Sequence, residues 1–202
     1  MKSNAEKLNR KGRPISQKKR RISVFFIVLF VIFLFLESPL LWRAMYPVYY
    51  KNEIAKASAK HKIDPFLVMA IVQIESKFDK KQVSNKGAVG LMQIMPSTAK
   101  WAAKEGNFSP MVVEYLDEPA TNIDIGSWYV SFLYQKFNGN PYAVIAAYNA
   151  GPGNVSRWLA QGTWDGKEET ISRIPFGETR HYIQRVLYYK DRYAKIYKND
   201  FS

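Results

Sequence analysis

The chain has 202 residues, 47% hydrophobic and 23% charged, which suits one globular core plus a short appendage. It has no cysteine, which excludes disulfides, thiolate metal sites, a cysteine nucleophile and a lipid-modified cysteine anchor. The net charge of +13 is concentrated in residues 1–21, where Lys2, Lys7, Arg10, Lys11, Arg13, Lys18, Lys19, Arg20 and Arg21 face Glu6 alone, so the basic balance points to membrane topology rather than nucleic acid.

From Ile22 the chain reads ISVFFIVLFVIFLFL to Leu36, interrupted only by Ser23, and continues through Glu37, Ser38 and Pro39 to Leu40, Leu41 and Trp42. Residues 22–42 match the roughly 20 residues that a spanning helix needs. A signal peptide is the rival reading of the apolar run. The long basic flank, and the lack of a small-x-small pattern after Leu36, favour an uncleaved single-pass anchor in the cell membrane. The positive-inside rule then puts residues 1–21 in the cytoplasm and the rest of the chain outside. Residues 43–62 read as a linker or leading helix, and residues 63–202 as the main domain.

The pattern of that domain is helical throughout. Asp64-Pro65 opens a helix, since Asp caps and Pro suits the first turn. FLVMAIVQIESKF follows, apolar on nearly all sides as far as Glu75, as a helix in the middle of a core would be. A glycine-containing loop, VSNKGAVG, leads to a short helix that opens at Pro96 and stops at Gly106. Further helices are expected over about Ala120–Phe137, from Pro141 to Gly151, on through Trp158, and from about Gly177 to Tyr197. The fold class is all-α, with no internal repeat.

Glu75 is the residue most suited to chemistry. Ile71 and Val72 lie one turn before it, and it falls near a helix C-terminus, where the macrodipole disfavours negative charge. Burial and dipole both raise a carboxyl pKa, and a carboxyl protonated near neutral pH can serve as a general acid. The alternative is a solvated glutamate at a frayed helix end, paired with Lys77 or Lys80.

Four strings in order, ESKF, VSNKGAVGLMQIMPSTA, AAYNAGPGNV and PFGETRHYI, resemble the soluble lytic transglycosylase family over about residues 54–195. The resemblance implies a lysozyme-like all-α fold. It also implies cleavage of the β-1,4 bond between N-acetylmuramic acid and N-acetylglucosamine in peptidoglycan, leaving a 1,6-anhydro end. On the matched positions, Glu75 becomes the catalytic acid/base. Ser84 contacts substrate near the cleaved bond, and Gln93 and Met95 line the glycan groove. Tyr148 and Asn149 lie beside the scissile bond, where Tyr148 bonds the acetamido group or the catalytic carboxylate. Glu178 binds sugar or orients the site, with Tyr182 in the same string. Leu91 and Met92 read as core, Gly87 and Gly90 as positions of backbone freedom, and Trp158 and Phe176 as packing.

Ordinary glycosidases use two carboxylates. Here the motifs offer one, so the resemblance implies that Glu75 protonates the leaving oxygen and then takes the proton from the sugar's own C6 hydroxyl. Such a reaction needs no metal and no cofactor. The rival enzyme is a hydrolytic muramidase similar to goose-type lysozyme, with Asp79, four residues after Glu75, as a second acid. A non-catalytic wall-binding protein is the rival from another class.

Overall fold

The computed structural model describes residues 17–36 and 38–201. Most of the basic tail foreseen over 1–21 therefore lies outside the described residues. The chain divides into two compact units, with the boundary between Met45 and Tyr46.

In the first unit, the run foreseen as one helix over 22–42 is two helices, α1 (Gln17–Leu36) and α2 (Pro39–Met45), bent by 55°. Pro39 explains the break: it lacks an N–H and disfavours the helical conformation in the residue before it. Across the bend, Trp42 Nε1 donates to the Leu36 carbonyl at 2.8 Å. Among the described residues no single helix is long and apolar enough to cross a membrane, although the bent pair meets the requirement together. The large apolar side chains between Ile22 and Leu36 are exposed.

The second unit is all-α. Its helices are α3 (Lys51–His61), α4 (Pro65–Glu75), α5 (Pro96–Glu105), α6 (Pro119–Lys136), α7 (Pro141–Ala150), α8 (Pro152–Ala160) and α9 (Gly177–Tyr197), with short 3-10 turns over Pro110–Tyr115, Glu168–Arg173 and Lys198–Asp200. Helices α4 to α8 each open on a proline, whose fixed φ and missing N–H cost nothing in a first turn. Caps fix two of these starts. Asp64 accepts the Phe66 N–H at 2.9 Å, and Asn140 Oδ1 accepts the N–H groups of Tyr142 and Ala143, each at 3.0 Å.

Helix α4 is the centre of the core. Leu67 to Val72 are all buried, as an all-round apolar helix requires. It packs chiefly on α9 and also on α3, while α6 packs on α3 and α7, and α7 on α9. Helix α3, within the segment 43–62, buries Ile54, Ala57 and Ser58. Glu75, the last residue of α4, is thereby brought beside α9.

The loop between α4 and α5 contains no strand, only isolated antiparallel bridges of Val89 with Val83 and Ile94. One buried side chain fixes it from below. Asn122 of α6 accepts the Met92 N–H at 2.7 Å and donates to the carbonyls of Leu116 at 2.7 Å and Val89 at 2.9 Å. Gly90 passes directly over this amide with φ +78°, and a Cβ there would meet Asn122 Nδ2 at 2.4 Å. Only glycine fits both the conformation and the space.

Candidate active site

Glu75 is half-buried at the C-terminal end of α4. The Tyr182 hydroxyl donates to its Oε1 at 2.6 Å. Burial is the largest influence on the carboxyl and raises its pKa; the Tyr182 hydrogen bond works against this, Glu178 repels the charge, and Arg185 attracts it. The result is a pKa of about 7. Burial thus acts as the sequence implies, and the group is poised to give and take a proton near neutrality.

Two phenols frame the carboxyl, Tyr182 buried and Tyr148 half-buried. The hydroxyl that reaches Glu75 is that of Tyr182; Tyr148 instead donates to the Met92 carbonyl at 2.8 Å. Burial, together with the Glu75 charge, raises both phenols well above their usual pKa, so they act as donors and not as bases. Removing the Tyr182 hydroxyl takes away an interaction that favours the carboxylate. In Tyr182→Phe the alkaline limb of the kcat/KM profile is therefore expected to move to higher pH, with a lower maximum. A pH–rate series measures this, and an unmoved limb would detach Tyr182 from the ionisation of Glu75.

The remaining candidates fall into two groups. Asn149, at the end of α7, and Glu178, in the first turn of α9, lie together: Asn149 Nδ2 approaches Glu178 Oε1 at 3.5 Å, and Thr179 Oγ1 donates to Asn149 Oδ1 at 2.7 Å. A carboxylate in a first helical turn also suits the helix dipole. Ser84, Gln93 and Met95 belong to the loop. Ser84 Oγ accepts the Ala88 N–H at 2.9 Å, which leaves its own proton to donate. Gln93 stands at φ 48° and its Nε2 donates to the carbonyls of Gln82 and Gly90, each at 3.0 Å, so its amide braces the loop from within. Met95 is exposed just before α5. Leu91 and Met92 are fully buried, Trp158 is buried, and Phe176 lies edge-on to it but exposed. Asp79 is exposed and caps a turn by accepting the Lys81 N–H at 2.9 Å.

Three contributors escaped the sequence reading. Ser76 Oγ donates to the carbonyls of Val72 at 3.1 Å and Leu91 at 2.8 Å, tying the end of α4 to the loop. Its place beside Glu75 was the available signal. Arg185 follows Tyr182 by three residues, and helical spacing alone puts it on the same face of α9. Asn122 is a polar residue among the inward positions of α6, a mark visible only once those positions are known.

The transglycosylase SLT domain model matches residues 52–171. The soluble lytic murein transglycosylase of Escherichia coli (strain K12) is 39% identical over 162 residues, covering 77% of this chain and 24% of the relative. The membrane-bound lytic murein transglycosylase C of Edwardsiella ictaluri is 32% identical over 168 residues, covering 73% of this chain and 47% of the relative. Among solved structures, an inactive Glu-to-Gln variant of the lytic transglycosylase Slt from Pseudomonas aeruginosa superposes with a TM-score of 0.70 at 34% identity, covering 79% of this chain and 26% of that one. The 70-kDa soluble lytic transglycosylase in complex with bulgecin A gives 0.68 at 35% identity, covering 76% and 25%. The chain thus spans about a quarter of the length of the soluble relatives. By sequence and by fold, the chain belongs to the transglycosylase SLT-domain family.

Proposed function

We infer that this protein is a peptidoglycan lytic transglycosylase, held at the cell membrane by its N-terminal apolar segment. The observation that carries the reading is a single half-buried carboxyl, Glu75, with a pKa of about 7 and a phenol donor on one oxygen. Its protonated form gives a proton to the glycosidic oxygen as the bond breaks. Its ionised form, steadied by Tyr182, then takes the proton from the C6 hydroxyl of the muramic acid as that oxygen attacks the anomeric carbon. The nucleophile is intramolecular, so no second carboxylate has to hold water. Asn149 and Glu178 are assigned to the sugar beside the broken bond, and Ser84, Gln93, Met95 and Tyr148 to the wall of the groove. The family membership and the named activity of the relatives support the substrate class.

The anchoring is supported by composition. The exposed apolar pair α1 and α2 reaches the length of a span, and the basic residues precede it, so the catalytic domain would lie outside. The test is mass spectrometry of peptidoglycan digested by the membrane-extracted full chain. Products ending in 1,6-anhydromuramic acid are expected; reducing ends would make the enzyme a hydrolytic muramidase. Full activity in the soluble fraction, with residues 1–36 still present, would refute the anchor.

A further inference from the structure

A second concavity opens between α3, α5 and α6. It is a cavity of about 440 Å³, lined among others by Lys62 at the end of α3, Trp101 and Glu105 of α5, and Trp128, Phe132 and Gln135 of α6. Lys62 stands just before α4, whose eleven residues extend about 15 Å to Glu75 at the other end, so this cavity is separate from the acid.

Its apolar wall is aromatic. The Trp101 ring lies 5.0 Å from that of Trp128 and 4.7 Å from that of Phe132, and Trp128 and Phe132 are near-parallel at 6.1 Å. All three rings are only half-buried. Neither indole N–H donates to a protein acceptor among the described residues, and neither is sealed from solvent. An aromatic cluster that served packing alone would have no use for two unpartnered donors at the edge of a cavity.

The exposed part of the polar lining includes the Lys62 ammonium, the Glu105 carboxylate and the Gln135 amide, while His61 and Ser131 are half-buried and His61 is paired with Asp124. Lys60, which also borders the cavity, is paired with Asp124 at 2.7 Å. Lys62 and Glu105 offset each other, so the site offers no net charge to a phosphate backbone or an anionic headgroup. A pyranose matches it, because its C–H faces lie on aromatic rings while its hydroxyl and acetamido groups project to the rim, where donors and acceptors of both kinds stand.

We propose that this aromatic-walled cavity is a second carbohydrate site, which holds an uncharged N-acetylated glycan segment and retains the domain on its polymer. Only the identity of the polymer rests on the transglycosylase reading. A glycan bound here keeps the enzyme on the wall between cleavage events, since the second site remains engaged while the groove beside Glu75 is empty.

The test uses the full chain carrying Glu75→Gln, so that no cleavage accompanies binding. Retention on purified insoluble peptidoglycan is measured together with tryptophan fluorescence on titration with the N-acetylglucosamine tetramer. Trp101→Leu with Trp128→Leu is expected to weaken retention about tenfold or more and to abolish the part of the fluorescence change that these rings report. Lys62→Ala with Gln135→Ala, which alters only exposed rim residues, is expected to weaken retention severalfold and decides the matter if the aromatic pair lowers the Tm. Unchanged retention in the rim pair, and in the aromatic pair where that pair stays folded, overturns the proposal. Product analysis of the wild type keeps the two readings apart. Anhydro products with unaltered retention sink the second site alone, whereas cavity-dependent retention without sugar products sinks the transglycosylase assignment and leaves the site standing.

Discussion

Glu75→Gln is expected to reduce wall lysis by about 10²–10⁴-fold while making the fold more stable at alkaline pH. Both effects follow from the same burial. Folding raises this carboxyl from 4.5 to about 7, so below pH 4.5 it is protonated in both states and carries no penalty. Between pH 4.5 and 7 the unfolded chain releases its proton while the folded chain retains it, and stability falls as the pH rises. Above 7 the folded protein carries a poorly hydrated carboxylate, and the penalty is complete. At 1.36 kcal/mol per unit, with a discount for partial exposure, it amounts to about 2–3 kcal/mol. Glutamine keeps an oxygen for the Tyr182 hydroxyl and never ionises, so it escapes this loss. Urea denaturation of both proteins at pH 4.5 and pH 8 measures the effect. A stability difference that is the same at both values would show that Glu75 is not held in the environment described, and unchanged lysis in the variant would remove it from the chemistry.

The second large effect is structural. Asn122→Ala is expected to destabilise the protein by about 3–5 kcal/mol, because it leaves the buried Met92 N–H and Leu116 carbonyl without a partner and takes from the Val89 carbonyl one of its two donors, the other being the Ile94 N–H at 3.0 Å. For a domain of ordinary stability this is a large fraction of the total. The damage is also directed. Met92 receives the Tyr148 hydroxyl on its carbonyl, and its side chain lies against Gly126, where a Cβ would come within 2.3 Å of the sulfur. Loosening Met92 therefore frees both Tyr148 and the loop that carries Gln93 and Met95. Chemical denaturation gives the stability loss; a change below 1 kcal/mol would mean that the loop is held by its own bridges and not by Asn122.

Much of this architecture was legible in the chain itself, because its punctuation is strong. The helix expected to open at Pro96 and stop at Gly106 is α5, with Gly106 as its C-cap, and the helix from Pro141 ends at Ala150 before Gly151. Proline and glycine act through local sterics, so their message survives without tertiary context. The apolar run before the domain was harder to bound. Hydrophobicity measures only a total length, and Pro39 divides that length into two helices.

The amino-acid sequence by itself determined the all-α class, the burial of α4 and a carboxyl at its end, since each depends on composition and helical period within one segment. The motifs then placed the chain in its family. The partner of that carboxyl was decided only by tertiary structure. Tyr148 and Tyr182 are both phenols in matched strings, and nothing local distinguishes them. The packing of α9 on α4 sends the Tyr182 hydroxyl to Glu75, and the buried Met92 carbonyl takes that of Tyr148. The same holds for Asn122, whose three hydrogen bonds reach residues 6 to 33 positions away. A hydrogen bond is directional and short, so its partner is fixed by where the backbone goes, and no periodicity encodes that.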